Sequence, residues 1–424
     1  MWPGIQILTE TNAMIEQLIR LHRTILNSQH HAFKRYFLMK HSLENRFSII
    51  IGQCGVGKTT MLLQYLSGFV HGDITSRKAL YVPVDHFSVV GHSIFEIAEE
   101  FVDYGGELLA LDEIHKYPDW SGELKSIHDS FPGLKLMVSG SSALEIHKGT
   151  HDLSRRAVVY QMTGLSFREF IELKHHPELP VYDLESILAR HERYSHEIVR
   201  ALESKNLKVL PEFRHYLRHG YFPYFLEHPD EGTYLKTLEQ GLHTTIESDL
   251  LSIYPKLAGA GIKKLKLLLS VIARSAPFTP DMKRLKNVIE VGDERTLKNY
   301  LKYLEDGKAV TCLSRQQKSI RGLEKPEKIY LNNPNQAFAI CDHETVNEGT
   351  LREMFFICML QERHRVALPP KGDFIVNDRH VFEIGGKSKT FRQIKGIPDA
   401  YLALDQIEYG LDTKIPLWLF GFLY

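Results

Sequence analysis

Short apolar runs that do not alternate with polar residues recur through the first part of the chain. They run from Phe47 to Ile51, Ala79 to Asp85, Glu107 to Asp112, Lys135 to Ser139 and Ala157 to Met162. Such runs predict strands buried on both faces. Stretches of helical periodicity lie between them: Thr60 to Leu66, Ser93 to Asp103 and Trp120 to Phe131. Strands alternating with helices predict a parallel α/β sheet. Pro83 cannot donate to a ladder, which argues against a central place for its strand. Ahead of the first strand, residues 10–45 are helical by pattern and are expected to pack beside the sheet.

From Leu165 the pattern turns helical and stays so to about Pro255. Three periodic helices then follow: Ile262 to Ala273, Asp281 to Ile289, and Asp293 to Leu304, the last opened by acids that suit a helix N-terminus. With a turn at Asp306-Gly307, this spacing predicts a winged helix-turn-helix whose wing tip carries Arg315, Lys318 and Arg321. The last block ends in three strand-like segments, Asp373-Phe-Ile-Val, His380-Val-Phe-Glu383 and Leu417-Trp-Leu-Phe-Gly-Phe422. The expected organisation is a helical segment (1–30), an α/β core (31–172), a helical lid or linker (173–255), the winged block (256–335) and a small C-terminal α/β domain (336–424).

Composition narrows the function classes. At 424 residues the chain is long enough for two or three domains. Its 52 basic and 52 acidic residues cancel, so any nucleic-acid site must be a local patch. The four cysteines, Cys54, Cys312, Cys341 and Cys358, form no CxxC pair, which argues against zinc and a disulfide framework and suits a reducing cytoplasm. No apolar run reaches membrane-spanning length and no signal-peptide pattern is present, so no membrane partner is expected.

The chemistry centres on Gly52-Gln53-Cys54-Gly55-Val56-Gly57-Lys58-Thr59-Thr60, placed between a strand and a helix. That context turns the pattern into a phosphate-binding loop. Its glycines allow backbone conformations that a Cβ would block, and its N–H groups converge on phosphate oxygens at a helix N-terminus. Lys58 is expected on the β- and γ-phosphates of ATP, and Thr59 on Mg2+. Asp112 and Glu113 end a later strand; Asp112 is expected in the Mg2+ shell and Glu113 to polarise the attacking water. Ser139 and Ser141 end the next strand, where they either reach the γ-phosphate or water, or simply form a turn. Arg155 and Arg156 precede a further strand; an arginine there either stabilises phosphoryl charge, in cis or from a neighbouring subunit, or is a surface pair.

Together, Gly52–Thr60, Leu108-Leu-Ala-Leu-Asp-Glu-Ile-His-Lys116, Val138-Ser-Gly-Ser-Ser142 and Leu165-Ser-Phe-Arg-Glu-Phe170 resemble the prokaryotic AAA+ superfamily of the "predicted ATPase" type. Those proteins join an N-terminal ATPase to a C-terminal domain of unknown function. Gly220-Tyr-Phe-Pro223, Thr245-Ile-Glu-Ser-Asp249 and Gly349-Thr-Leu-Arg-Glu353 extend the resemblance along the chain. It implies nucleotide hydrolysis and places Arg156 at the family's arginine position, although the family's preceding glycine is Arg155 here. The C-terminal block resembles a restriction-endonuclease-like fold, which implies a second metal site at Asp373, Glu383 and Lys387. In that fold the lysine follows the acid by two residues, where this chain has Gly385, so the expected reading is a domain that does not cut.

The leading expectation is therefore an ATPase that uses ATP and Mg2+ to drive change in its helical and winged parts. A nucleotide-gated DNA- or protein-binding module and an ATP-coupled nuclease are the alternatives. DNA is a candidate partner because Arg295, Lys298 and Lys302 share one face of the expected recognition helix. A homo-oligomer or a protein partner is the other.

Overall fold

The computed structural model describes residues 3–28, 32–140, 153, 155–254, 257, 259–315, 326–341 and 346–424. Two compact units meet in sequence between Thr163 and Gly164. The N-terminal helix belongs to the first unit.

The first unit is built on β1 (Phe47–Ile51), β2 (Ala79–Pro83), β3 (Leu108–Asp112), β4 (Lys135–Gly140) and β5 (Val158–Gln161). Their order is β2-β3-β4-β1-β5 and every pairing is parallel. β1 and β3 are buried throughout, as their unbroken apolar runs require. β2 lies at an edge with Pro83 as its last residue, the place where a missing N–H costs no ladder bond.

Among the described residues five α-helices accompany the sheet: α1 (Pro3–Ser28), α2 (Tyr36–Lys40), α3 (Lys58–Phe69), α4 (Ile94–Asp103) and α5 (Trp120–Ser130). α4 starts where Ser93 and Glu96 form a reciprocal capping box. It then buries Ile94, Ile97, Ala98 and Phe101, spaced on one face. Burying Phe101 there contributes on the order of 2 kcal/mol, so Phe101→Ala would unpin the helix. Met14, Ile15, Leu18 and Ile19 of α1 join the same core. His22 of α1 is buried, and its Nδ1 accepts a hydrogen bond from the Tyr81 amide on β2 at 3.1 Å.

In the second unit, helices run from Phe167–His175 through Leu184–Glu203, Val209–His219 and Glu231–Thr244, with Ser166, Asp183 and Asp230 capping the first, second and fourth. A π-helical turn, Thr245–Asp249, follows. Next come Ala260–Arg274, Met282–Val288 and Glu294–Asp306, then β6 (Val310–Leu313) paired antiparallel with β7 (Lys328–Leu331). Asp281 and Asp293 stand just outside the second and third of these helices and cap them, so each helix begins one residue later than its pattern. Lys318 and Arg321 lie outside the described residues.

The C-terminal sheet has the order β12-β11-β10-β9-β8, from β8 (Val366–Ala367), β9 (Phe374–Val376), β10 (His380–Gly385), β11 (Ala400–Leu404) and β12 (Lys414–Pro416). β10, β11 and β12 run parallel, while β9 is antiparallel to β10 and to β8. The expected strand at Leu417–Phe422 is instead a 3-10 helix, buried at every position. Pro416 has no N–H to donate, which ends the ladder ahead of this segment.

Candidate nucleotide site

The order of the first sheet sets the site. β1 feeds the glycine loop, β3 ends in Asp112, and β4 lies between them. All three run parallel, so their carboxyl ends open on one edge. The loop needs its glycines for two different reasons. A Cβ on Gly52 would come within 2.3 Å of the Met162 carbonyl oxygen. Gly57, the residue before α3, has φ 96°, a left-handed value that suits glycine. Beyond it α3 begins directly at Lys58, so its first N–H groups face the hollow of the loop.

Lys58 is buried, and its ammonium donates to the carbonyls of Gly52 and Gln53, each at 3.0 Å. The cation is thereby held inside the arc of the loop. Thr59 Oγ1 donates to Asp112 Oδ2 at 2.6 Å. Asp112 is 2% exposed and also accepts from the Ser139 hydroxyl, the Tyr81 hydroxyl at 2.6 Å and the Glu113 amide at 3.2 Å. Burial, reinforced by the Asp112 carboxylate, pushes the Tyr81 phenol far above its usual range, so it stays a donor. Glu113 takes a left-handed φ of 57° at the strand end, with its amide also on Ser139 Oγ at 3.2 Å. Its carboxylate lies 3.6 Å from His115 Nε2 and 3.8 Å from Lys116 Nζ. The Thr59 hydroxyl and the Asp112 carboxylate are hard oxygen donors, the set that suits Mg2+, and the bare backbone at Gly52 and Gly57 suits a phosphate.

Sequence reasoning thus named Lys58, Thr59, Asp112, Glu113 and Ser139, and the structure brings them to one edge. Ser141 lies outside the described residues. Two contributors were missed. Tyr81 sits mid-strand in an apolar run, where a tyrosine reads as core. Arg35 is buried and donates to the carbonyls of Val56 at 2.6 Å and Thr163 at 2.8 Å, tethering the loop from a segment with no motif.

Arg156 is placed elsewhere. Its guanidinium forks onto both carboxylate oxygens of Asp129, each at 2.8 Å, which holds the Asp129 carboxyl well below the usual range. Arg156 precedes β5 and Asp129 ends α5 ahead of β4, so the pair lies at the amino edge of the parallel sheet. The loop lies at the carboxyl edge, roughly 16 Å away for a five-residue strand. Arg156 therefore does not reach the loop of its own chain.

In the second unit Glu383 is fully buried and pairs with Lys389 Nζ at 2.6 Å. Burial raises the Glu383 carboxyl, with Lys389 opposing it. Asp373 Oδ2 accepts the Ile384 amide at 2.8 Å. The expected Lys387 is exposed; the lysine on Glu383 is Lys389. A Cβ on Gly385 would strike the Lys389 side chain at 2.6 Å, so glycine there is what lets the later lysine fold back over the strand. Among the described residues no three metal-ligating side chains converge. Arg295 and Lys302 are exposed on the helix Glu294–Asp306 and Lys298 is partly exposed, while Leu297, Leu301 and Leu304 face the core.

Residues 44–171 match the family model described as AAA domain, and residues 210–338 match one described as Domain of unknown function (DUF8612). No curated protein matches. Among solved structures, PCH-2 of C. elegans is similar at 16% identity over 38% of this chain and 44% of that chain, with a TM-score of 0.24. AMPPCP-bound DnaA from Aquifex aeolicus is similar at 14% identity over 64% and 87%, TM-score 0.24. The Hsp104–ADP complex of S. cerevisiae is similar at 15% identity over 69% and 41%, TM-score 0.30. The chain thus spans less than half of the PCH-2 and Hsp104 chains that it matches. The AAA-domain match and the loop geometry agree on a nucleotide-binding unit of the ATPase type.

Proposed function

We propose that the N-terminal unit binds Mg-ATP at Gly52–Thr60 and hydrolyses it, using the cycle to act on a partner of the C-terminal unit. The observation that carries this reading is the 2.6 Å hydrogen bond from Thr59 to Asp112. It joins the loop to a strand end two places across the sheet. Mg2+, when bound, would neutralise charge between phosphate oxygens. Thr59 and Asp112 are the residues to hold it. Lys58 supplies a fixed cation beside the phosphates, and Glu113 takes the proton of the attacking water. Lys58→Ala should weaken nucleotide binding by about two orders of magnitude with folding retained. Glu113→Gln should bind nucleotide and lose turnover by about a hundredfold, because an amide cannot accept the proton. Both are read by fluorescent-nucleotide titration and phosphate release. Binding without turnover in the wild type would make the chain a nucleotide-gated module instead.

For the second unit we favour duplex DNA as the partner, bound by a winged helix. The support is the order helix, helix, helix, strand, strand, together with the basic outer face at Arg295, Lys298 and Lys302. Replacing all three by Ala should flatten the salt dependence of duplex binding by about one logarithmic unit per lost phosphate contact. No binding at low salt, measured by anisotropy, would make a protein partner or a second copy of the chain the better reading. The Asp373–Glu383 pair is read as structural, since Lys389 already neutralises Glu383.

A further inference from the structure

We infer that Tyr81 is the positioning residue that sets the metal affinity of the nucleotide site, acting through Asp112. The inference rests on the ATP-binding function proposed for this unit. Asp112 is the only carboxylate, among the described residues, on which Thr59 donates, and its two oxygens are fully partnered in the structure. Oδ1 accepts from the Ser139 hydroxyl and the Glu113 amide. Oδ2 accepts from the hydroxyls of Thr59 and Tyr81, each at 2.6 Å. Thr59 belongs to the loop helix and the Glu113 amide to the turn after β3, whereas Ser139 and Tyr81 are held inside strands, Ser139 in β4 on Oδ1 and Tyr81 in β2 on Oδ2. On Oδ2, the oxygen that Thr59 shares, Tyr81 is the strand-held donor. It lies in the middle of β2, with its backbone in register with Ala110 of β3. Its amide is fixed by His22 of α1, and its ring is 3% exposed. Its hydroxyl is therefore the donor that ties Oδ2 to the sheet, as Ser139 ties Oδ1.

The physical consequence is an orientation effect. A buried carboxylate that loses a donor keeps the desolvation cost of the unpaired oxygen and gains freedom to turn. With Tyr81 in place, the carboxylate plane is fixed before the metal arrives, and Thr59 meets it in one geometry. Without the hydroxyl, Asp112 keeps three donors but Oδ2 is held by Thr59 alone, so the carboxylate meets the metal less well oriented, which lowers metal affinity. Partners one step removed from a metal typically alter its affinity by about 10–100-fold. Tyr81 touches neither loop carbonyl that Lys58 holds, so phosphate affinity in the absence of metal should be untouched.

Tyr81→Phe removes one oxygen and keeps the buried ring. The test measures binding of a fluorescent ATP analogue to the full chain, first in EDTA and then across a Mg2+ series. Mn2+ electron paramagnetic resonance in the presence of a non-hydrolysable ATP analogue reads the metal directly, without turnover. The expected result is unchanged affinity in EDTA, with the Mg2+ and Mn2+ midpoints raised about tenfold. A merely structural role would lower both affinities together or neither. If wild type binds nucleotide with a Mg2+ midpoint that Tyr81→Phe leaves in place, the inference falls and the ATP-binding function stands. If wild type binds no nucleotide in either condition, the ATP-binding function itself falls.

Discussion

Each unit of this protein carries a buried carboxylate on a strand, and the two are partnered in opposite ways. Asp112 accepts from the hydroxyls of Thr59, Tyr81 and Ser139 and from one amide, all of them neutral. Glu383 is paired with the Lys389 ammonium. Neutral donors orient a carboxylate and leave its charge to be met by an incoming cation. An ammonium meets that charge from within the fold. The difference separates a carboxylate whose charge is left open, as the proposed metal site needs, from one whose charge is already balanced.

The comparison breaks most sharply at the acids. Asp112→Asn should reduce Mg2+-dependent hydrolysis at least about a hundredfold, because the amide brings no charge to the metal. Asp373→Asn, measured in the same phosphate-release assay, should leave the rate as it was. Equal losses would mean that the second site takes part in turnover after all.

A smaller effect sharpens the balance of charge in the second unit. Lys389→Met leaves Glu383 buried without its cation, and should cost about 2–3 kcal/mol in urea unfolding at neutral pH. Burial already holds the Glu383 carboxyl above its usual range. A group whose folded pKa is raised binds protons more readily in the folded state. The variant should therefore regain stability as pH falls from 7 toward 5, and a pH-independent deficit would contradict the pairing argument.

The smallest effect belongs to the first unit. Burial, and Arg23 beside it, lower His22 to about 4 from 6.5. Here the unfolded chain takes up the proton first. Stability is full above about 6.5 and falls as pH drops toward 4, by about 2 kcal/mol at pH 5. His22→Gln should flatten that slope in thermal unfolding across pH 7 to 5. An unchanged slope would place the acid sensitivity elsewhere.

How far the sequence could be read depended on how local the cause was. The glycine loop, β1 and α3 follow from consecutive residues, and a motif of that kind is legible. Asp112 was legible because an acid closing an apolar run, downstream of a phosphate loop, marks the strand end that faces a ligand. Tyr81 was not, because the reason for its hydroxyl lies on β3, and its own run reads as plain core. Lys389 was hidden by the bend at Gly385, which lets the side chain return over the strand from four residues on. The strand expected at Leu417–Phe422 failed because continuous burial looks alike in an extended segment and in a tight helix.

The position of Arg156 has a kinetic meaning. A guanidinium at the amino edge of the sheet, forked onto Asp129, is out of reach of its own loop, so any part it takes in turnover would be played on another molecule's. Turnover that uses this arginine must then depend on encounter. Specific activity per chain would fall on dilution, follow a sigmoid in protein concentration, and saturate once every loop has a neighbour. A chain whose turnover number is constant over the whole dilution range works without it.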